Sequence, residues 1–128
     1  MSTPGYMRKP ATLQALKDAK LVEEYTIKKV CNDKCFSKKK YRRWLSSDLV
    51  QMAKDCYTYL IKAYYTDNFE KALDYKEEAL LNVEAMLAQL DVANGMYETN
   101  IPNLDYWAGI LTDLKDSIIV WKKNTKMQ

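Results

Sequence analysis

Four stretches of the chain carry apolar residues at three- and four-residue spacing, the repeat that lines up one face of an α-helix. The first runs from about Thr12 to Cys31. Its stripe is Leu13, Leu16, Leu21, Tyr25, Ile27 and Val30, with Lys17, Lys20, Lys28 and Lys29 mostly off it. Thr12 can cap this helix, because its hydroxyl can accept a bond from an unpaired first-turn amide. Asn32 to Ser37 reads as a short turn in which Cys35 and Phe36 pack. The second stretch starts near Ser37 or Lys38 and reaches about Tyr65. Tyr41, Leu45, Leu49, Met52, Cys56, Tyr59 or Leu60, and Ala63 mark its inner face.

Asp67-Asn-Phe-Glu70 then has the order of a capping box. Asp67 would accept from the third helical amide, and Glu70 would reach back. Phe69, Leu73, Leu80, Val83, Leu87 and Leu90 continue the third helix. Gly95 is its expected stop, since a residue just past a helix end often needs positive φ. Residues 96–102 read as the longest internal loop. Pro102 suits the first turn of a fourth helix, where a missing amide proton removes no bond. Leu104, Trp107, Leu111, Leu114, Ile118 and Trp121 form the fourth stripe.

No segment alternates with the two-residue period of a strand, and no repeat is evident. An all-α, antiparallel up-down-up-down four-helix bundle is the simplest way to bury four such stripes. The 128 residues then divide into a flexible N-terminal arm (1–11), one bundle domain (12–124) and a basic C-terminal tail (125–128).

Composition narrows the chemistry. There is no histidine, which removes the Ser-His-Asp triad, the Cys-His pair and histidine metal sites. A phosphate-cradling Gly-rich loop is also missing. No enzyme, cofactor or metal is expected, and a stoichiometric bound metal or cofactor would revive a catalytic bundle. No apolar run reaches the roughly 18 residues of a membrane span, so no membrane partner is expected. The three cysteines are an odd number without a secretory leader, which points to reduced thiols and a cytoplasmic location.

Charge changes the picture more. Residues 28–43 carry Lys28, Lys29, Lys34, Lys38, Lys39, Lys40, Arg42 and Arg43 against Asp33 alone, a local charge of +7. Residues 44–114 carry four lysines and twelve acids, a local charge of −8. The net +3 therefore hides a dipolar molecule, and local fields steer partners more than net charge does. A second, weaker basic patch comprises Lys122, Lys123 and Lys126. Arginines and lysines beside Tyr41 and Trp44 can neutralise phosphates while an aromatic stacks on a base. The same run is also what a solvated turn looks like, with Tyr41 and Trp44 turned inward.

Other constellations have plainer readings. Cys31 and Cys35, with only Cys56 to help, fall short of the four ligands of structural zinc. Glu70, Asp74 and Glu77 share one face of the third helix. A di-iron bundle would need inward Glu with Glu-x-x-His pairs, so a solvated acidic face is the expectation. Tyr57, Tyr59, Tyr64 and Tyr65 read as core or interface.

The order of these features resembles the Avd-like accessory variability proteins of diversity-generating retroelements. The resemblance spans about Leu13 to Lys123. It rests on Glu24-Tyr-Thr-Ile-Lys-Lys-Val30, on Lys34-Cys-Phe-Ser-Lys-Lys-Lys-Tyr-Arg-Arg43, on the Leu-rich stretch Ala79 to Ala93, and on Tyr106-Trp-Ala-Gly-Ile-Leu-Thr-Asp-Leu-Lys-Asp-Ser-Ile-Ile-Val-Trp-Lys-Lys123. Ser37 stands where the family's turn usually has Pro, and the best-known branch is far more basic than +3. The resemblance implies a non-enzymatic four-helix bundle and a homo-oligomer, a pentamer in this family. Its implied partners are the element's reverse transcriptase and template RNA, with DNA as a further possibility. The basic residues above would be the nucleic-acid contacts. The other reading is a protein-binding helical scaffold with no nucleic-acid role, like the bundle proteins encoded within ribosomal-RNA intervening sequences.

Overall fold

In the computed structural model of the chain, residues 10–32, 45–96 and 103–125 are described. They form four helices and no strand: α1 (Pro10–Asn32), α2 (Ser47–Tyr65), α3 (Phe69–Met96) and α4 (Leu104–Thr125). A π-helical turn at Leu45 and Ser46 leads into α2. α1 packs on α2 and α4, and α3 packs on the same two helices, so the four close into a ring around one core. This is the arrangement of a helical bundle. No helix among the described residues is long and apolar enough to cross a membrane.

Each helix buries a line with alternating three- and four-residue steps, as knobs-into-holes packing requires. In α4 the line is Trp107, Leu111, Leu114, Ile118 and Trp121, the expected stripe, with Ile110 beside it. The inner face of α2 is Leu49, Ala53, Cys56, Leu60 and Ala63, again close to expectation. The other two helices differ. α1 buries Ala15, Ala19, Val22, Thr26 and Lys29, while Leu21 is exposed and Tyr25 and Val30 sit at the margin. α3 buries Lys76, Ala79, Val83, Met86, Leu90 and Ala93, while Phe69 and Leu81 are exposed. A stripe drawn through the largest apolar residues misses the α1 line and meets the α3 line only at Val83 and Leu90. Alanine contributes little hydrophobicity, yet it lets neighbouring helices approach closely, and one long cation lies along each line.

Contacts between helices tie distant segments. Near its end α1 meets the start of α4: the Tyr25 and Tyr106 rings lie edge to face at 4.9 Å, and Trp107 Nε1 donates to Thr26 Oγ1 at 3.2 Å. Further along, Ser117 Oγ donates to Asp18 Oδ2 at 2.5 Å. α4 meets α3 through Lys115–Glu84 at 3.3 Å and Lys122–Glu77 at 3.8 Å.

The turn between α2 and α3 is three residues long, Thr66 to Asn68. Thr66 is extended, and its amide donates back to the Lys62 carbonyl at 3.0 Å. The cap of α3 is Asn68 rather than Asp67: Asn68 Oδ1 accepts from the Lys71 amide at 3.0 Å, and its carbonyl accepts from Ala72 at 2.9 Å. With the start shifted by one, Lys71 occupies the place where a capping box needs Glu or Gln. Asp67 and Asn68 are both good caps, and the residue just before the first helical turn is the one used.

Gly95 does not end α3, which runs on to Met96, and no described glycine has positive φ. The left-handed residue is instead Asn103, φ 57°, just ahead of α4. Asparagine tolerates that region better than most residues do. Its carbonyl accepts from the Trp107 amide at 3.1 Å. The expected starts of α2 at Ser37 or Lys38 and of α4 at Pro102, and the turn holding Cys35 and Phe36, lie outside the described residues. α1 starts at Pro10, two residues before the Thr12 expected from capping; proline is well suited to a first helical turn.

Candidate nucleic-acid interface

Position along the helical repeat decides which bases can reach a partner. Lys28 and Lys29 are adjacent in sequence but about 100° apart around α1. Lys28 is exposed, whereas Lys29 lies on the inner line with 6% of its surface accessible. Lys29 therefore belongs with the core line of α1 rather than with its outer face. Lys34, Lys38, Lys39, Lys40, Arg42, Arg43 and Lys126 lie outside the described residues.

The second patch has a definite setting. Lys122 is half-buried and pairs with Glu77, while Lys123 is exposed. Together with Leu73 and Glu77 they line an open cleft of about 410 Å³ between α3 and α4. Part of the charge of Lys122 is thus committed to Glu77, a partner that spacing along one helix does not reveal. Below this cleft the ammonium of Lys76 lies 4.4 Å from the centre of the Trp121 ring. That is cation–π distance, where the negative face of the indole attracts a cation. Nothing in composition marked Lys76 out. Its step to Ala79 and Val83 on the inner line is the signal that could have done so.

The tyrosines divide. Tyr57 and Tyr59 pack against the core, and Tyr59 faces Tyr75 at 6.2 Å. Lys62 Nζ sits 5.6 Å and 5.9 Å from those two rings. Tyr64 and Tyr65 are exposed and meet edge to face at 4.9 Å. The core reading therefore holds for the first pair and not for the second.

Glu70, Asp74 and Glu77 are all exposed, as are Asp67, Glu78 and Glu84. The acidic residues of α3 form a solvated face and do not converge on the bundle axis. Among the described residues, no three Cys, Asp or Glu side chains come together as a metal site. Cys31 is exposed, whereas Cys56 is buried and its thiol is pushed up from 9.0 to about 12, because burial penalises the thiolate. A thiolate nucleophile at Cys56 is therefore out of reach at neutral pH. Cys35 lies outside the described residues.

Comparison with known protein families, with characterised proteins and with solved structures finds no match to this chain.

Proposed function

We propose that this chain is a non-enzymatic accessory protein of a diversity-generating retroelement, working in the cytoplasm as a homo-oligomer of about five copies. It would hold reverse transcriptase and template RNA together through its basic surface. In this reading residues 12–124 form one antiparallel up-down-up-down bundle. The pairings Tyr25–Tyr106, Asp18–Ser117, Glu84–Lys115 and Glu77–Lys122 support that arrangement, because residue numbers fall along one helix as they rise along its neighbour. The 28–43 block and the Lys122–Lys123 cleft would then sit at opposite ends, keeping two partners apart.

The observation that carries the reading is the segregation of charge. α1 exposes Lys28 where the run of eight bases begins, while the carboxylates of α3 are exposed elsewhere on the molecule. A polyanion is attracted to the first surface and repelled by the second. The contacts would come from Lys28, Lys34, Lys38, Lys39, Lys40, Arg42 and Arg43, with Lys122, Lys123 and Lys126 as the weaker patch. Lys29 is better placed to support the end of α1 than to touch a phosphate.

The test is binding of labelled single-stranded RNA over a salt series. Wild-type affinity should fall steeply with salt. Changing Lys38, Lys39, Lys40, Arg42 and Arg43 to Glu should leave the helical circular-dichroism signal intact. It should also remove about five phosphate contacts, flattening the salt slope by roughly 3.5 on a single strand. Unchanged affinity in that variant would sink the assignment. The protein-scaffold reading draws on a different observation, the exposed Leu81 and Val92 on α3, and it predicts no salt-dependent RNA binding at all.

A further inference from the structure

α1 and α3 each pack on α2 and α4, so they sit diagonally across the bundle and their outer faces point away from each other. Those two faces have opposite character. The outer face of α1 presents Lys17, Lys20 and Lys28 around an exposed Leu21, with Glu24 its one acid. The outer face of α3 presents Asp74, Glu78 and Asp91 around Leu81 and Val92, which are 59% and 51% exposed. Glu77 and Glu84, at the margin of that face, are occupied by lysines of α4. No exposed base interrupts the face between Asp74 and Val92, because Lys76 is buried.

We infer that the outer face of α3 is the docking surface for the outer face of α1 of a second copy of this chain. The leucines supply the buried apolar contact, and the charges supply orientation and exclude the like-with-like pairings α1–α1 and α3–α3. A single chain cannot satisfy both faces, since they lie on opposite sides. Each contact therefore leaves one α1 face and one α3 face open, which makes the interface heterologous. Repetition closes a ring or extends a filament, according to the rotation per step. A nucleic-acid occupant of the α3 face is disfavoured by its three carboxylates. The inference deepens the assembly part of the function proposed above by naming the two faces that meet.

The test uses the full chain. Mass in solution, by light scattering at low salt, should be a multiple of the 15.0 kDa of one chain. Asp74→Lys with Glu78→Lys should reduce it to a single chain. Adding Lys17→Glu and Lys20→Glu to that same chain should restore assembly, an outcome that misfolding cannot imitate. In a Cys31→Ser, Cys35→Ser background, which leaves only the buried Cys56, Leu21→Cys with Leu81→Cys should give a ladder of disulfide-linked chains on oxidation, whereas either introduced cysteine alone should give no ladder. A wild-type mass of one chain would overturn this inference together with the oligomer proposed above. An assembly that survives Asp74→Lys and Glu78→Lys and yields no ladder would overturn this inference alone, since the copies would then meet through another face. RNA binding reads out separately through the 38–43 variant.

Discussion

α4 carries a buried tryptophan near each end, and the molecule satisfies the two in different ways. Trp107 is fully buried, and its indole N–H donates to the hydroxyl of Thr26, with the Tyr25 ring edge-on at 6.0 Å. Trp121 is 3% exposed and offers its ring face to the ammonium of Lys76. One end thus pairs a neutral donor with a neutral acceptor. At the other end a charge is kept under cover by the field of an aromatic ring. A buried neutral hydrogen bond is directional and carries a modest net gain, because water offered the same bond in the unfolded chain. A buried ammonium starts from a large desolvation penalty that its surroundings must offset. The same residue type, at the same kind of position on one helix, therefore does two different jobs.

Substitutions can break or sharpen this contrast. The largest effects should come from Trp107→Ala and Trp121→Ala, each costing about 3–5 kcal/mol in urea unfolding through lost burial and a residual cavity. If either change cost under about 1 kcal/mol, that end would not be packed as described.

Next is Lys76. Lys76→Ala removes the long stem as well as the charge and should cost about 2–4 kcal/mol, in line with other long-chain truncations in cores. Lys76→Met keeps most of the volume and drops the desolvation penalty along with a cation–π attraction of about 0.5–2 kcal/mol. It should cost clearly less than Lys76→Ala in the same urea series. Equal losses for the two variants would show that the charge, and not the stem, holds that end.

Thr26→Val keeps the shape and deletes the acceptor used by Trp107. A loss of about 1 kcal/mol is expected in urea unfolding. The smallest effect should be a gain. Gly109 lies in the interior of α4, two residues past Trp107, and a β-carbon built there meets nothing within 4 Å. Gly109→Ala should therefore stabilise by about 0.5–1 kcal/mol, read as a higher urea midpoint. A loss instead would mean that another surface sits against that glycine.

The two tryptophans were both legible in the sequence, but their partners were not. Trp107 and Trp121 stand out because α4 is rich in large apolar residues at helical spacing, so any reasonable stripe passes through them. Thr26 and Lys76 are polar, and reading by hydrophobicity sets polar residues outside. The same bias put Leu21 and Phe69 in the expected core and left out Ala15, Ala19 and Ala79, which the structure buries. Of the candidate interface, the basic run was visible as a run. The inward turn of Lys29 and the pairing of Lys122 with Glu77 were not, because each depends on a neighbouring helix.

The sequence by itself determined that the chain is helical, roughly where its helices lie, and that its charge is split between a basic segment and an acidic one. Those properties are local: they follow from residue spacing, from polar turn residues near 67–68, and from counting charges. Only the tertiary structure decided which face of α1 and α3 turns inward. That choice depends on how four helices approach one another at once. A face of alanines that allows close approach, with one lysine laid along it, is chosen over a face of leucines that does not match its neighbours. The exposed Leu21 and Leu81 are the consequence of that choice, and they leave an apolar residue on each of two oppositely charged faces.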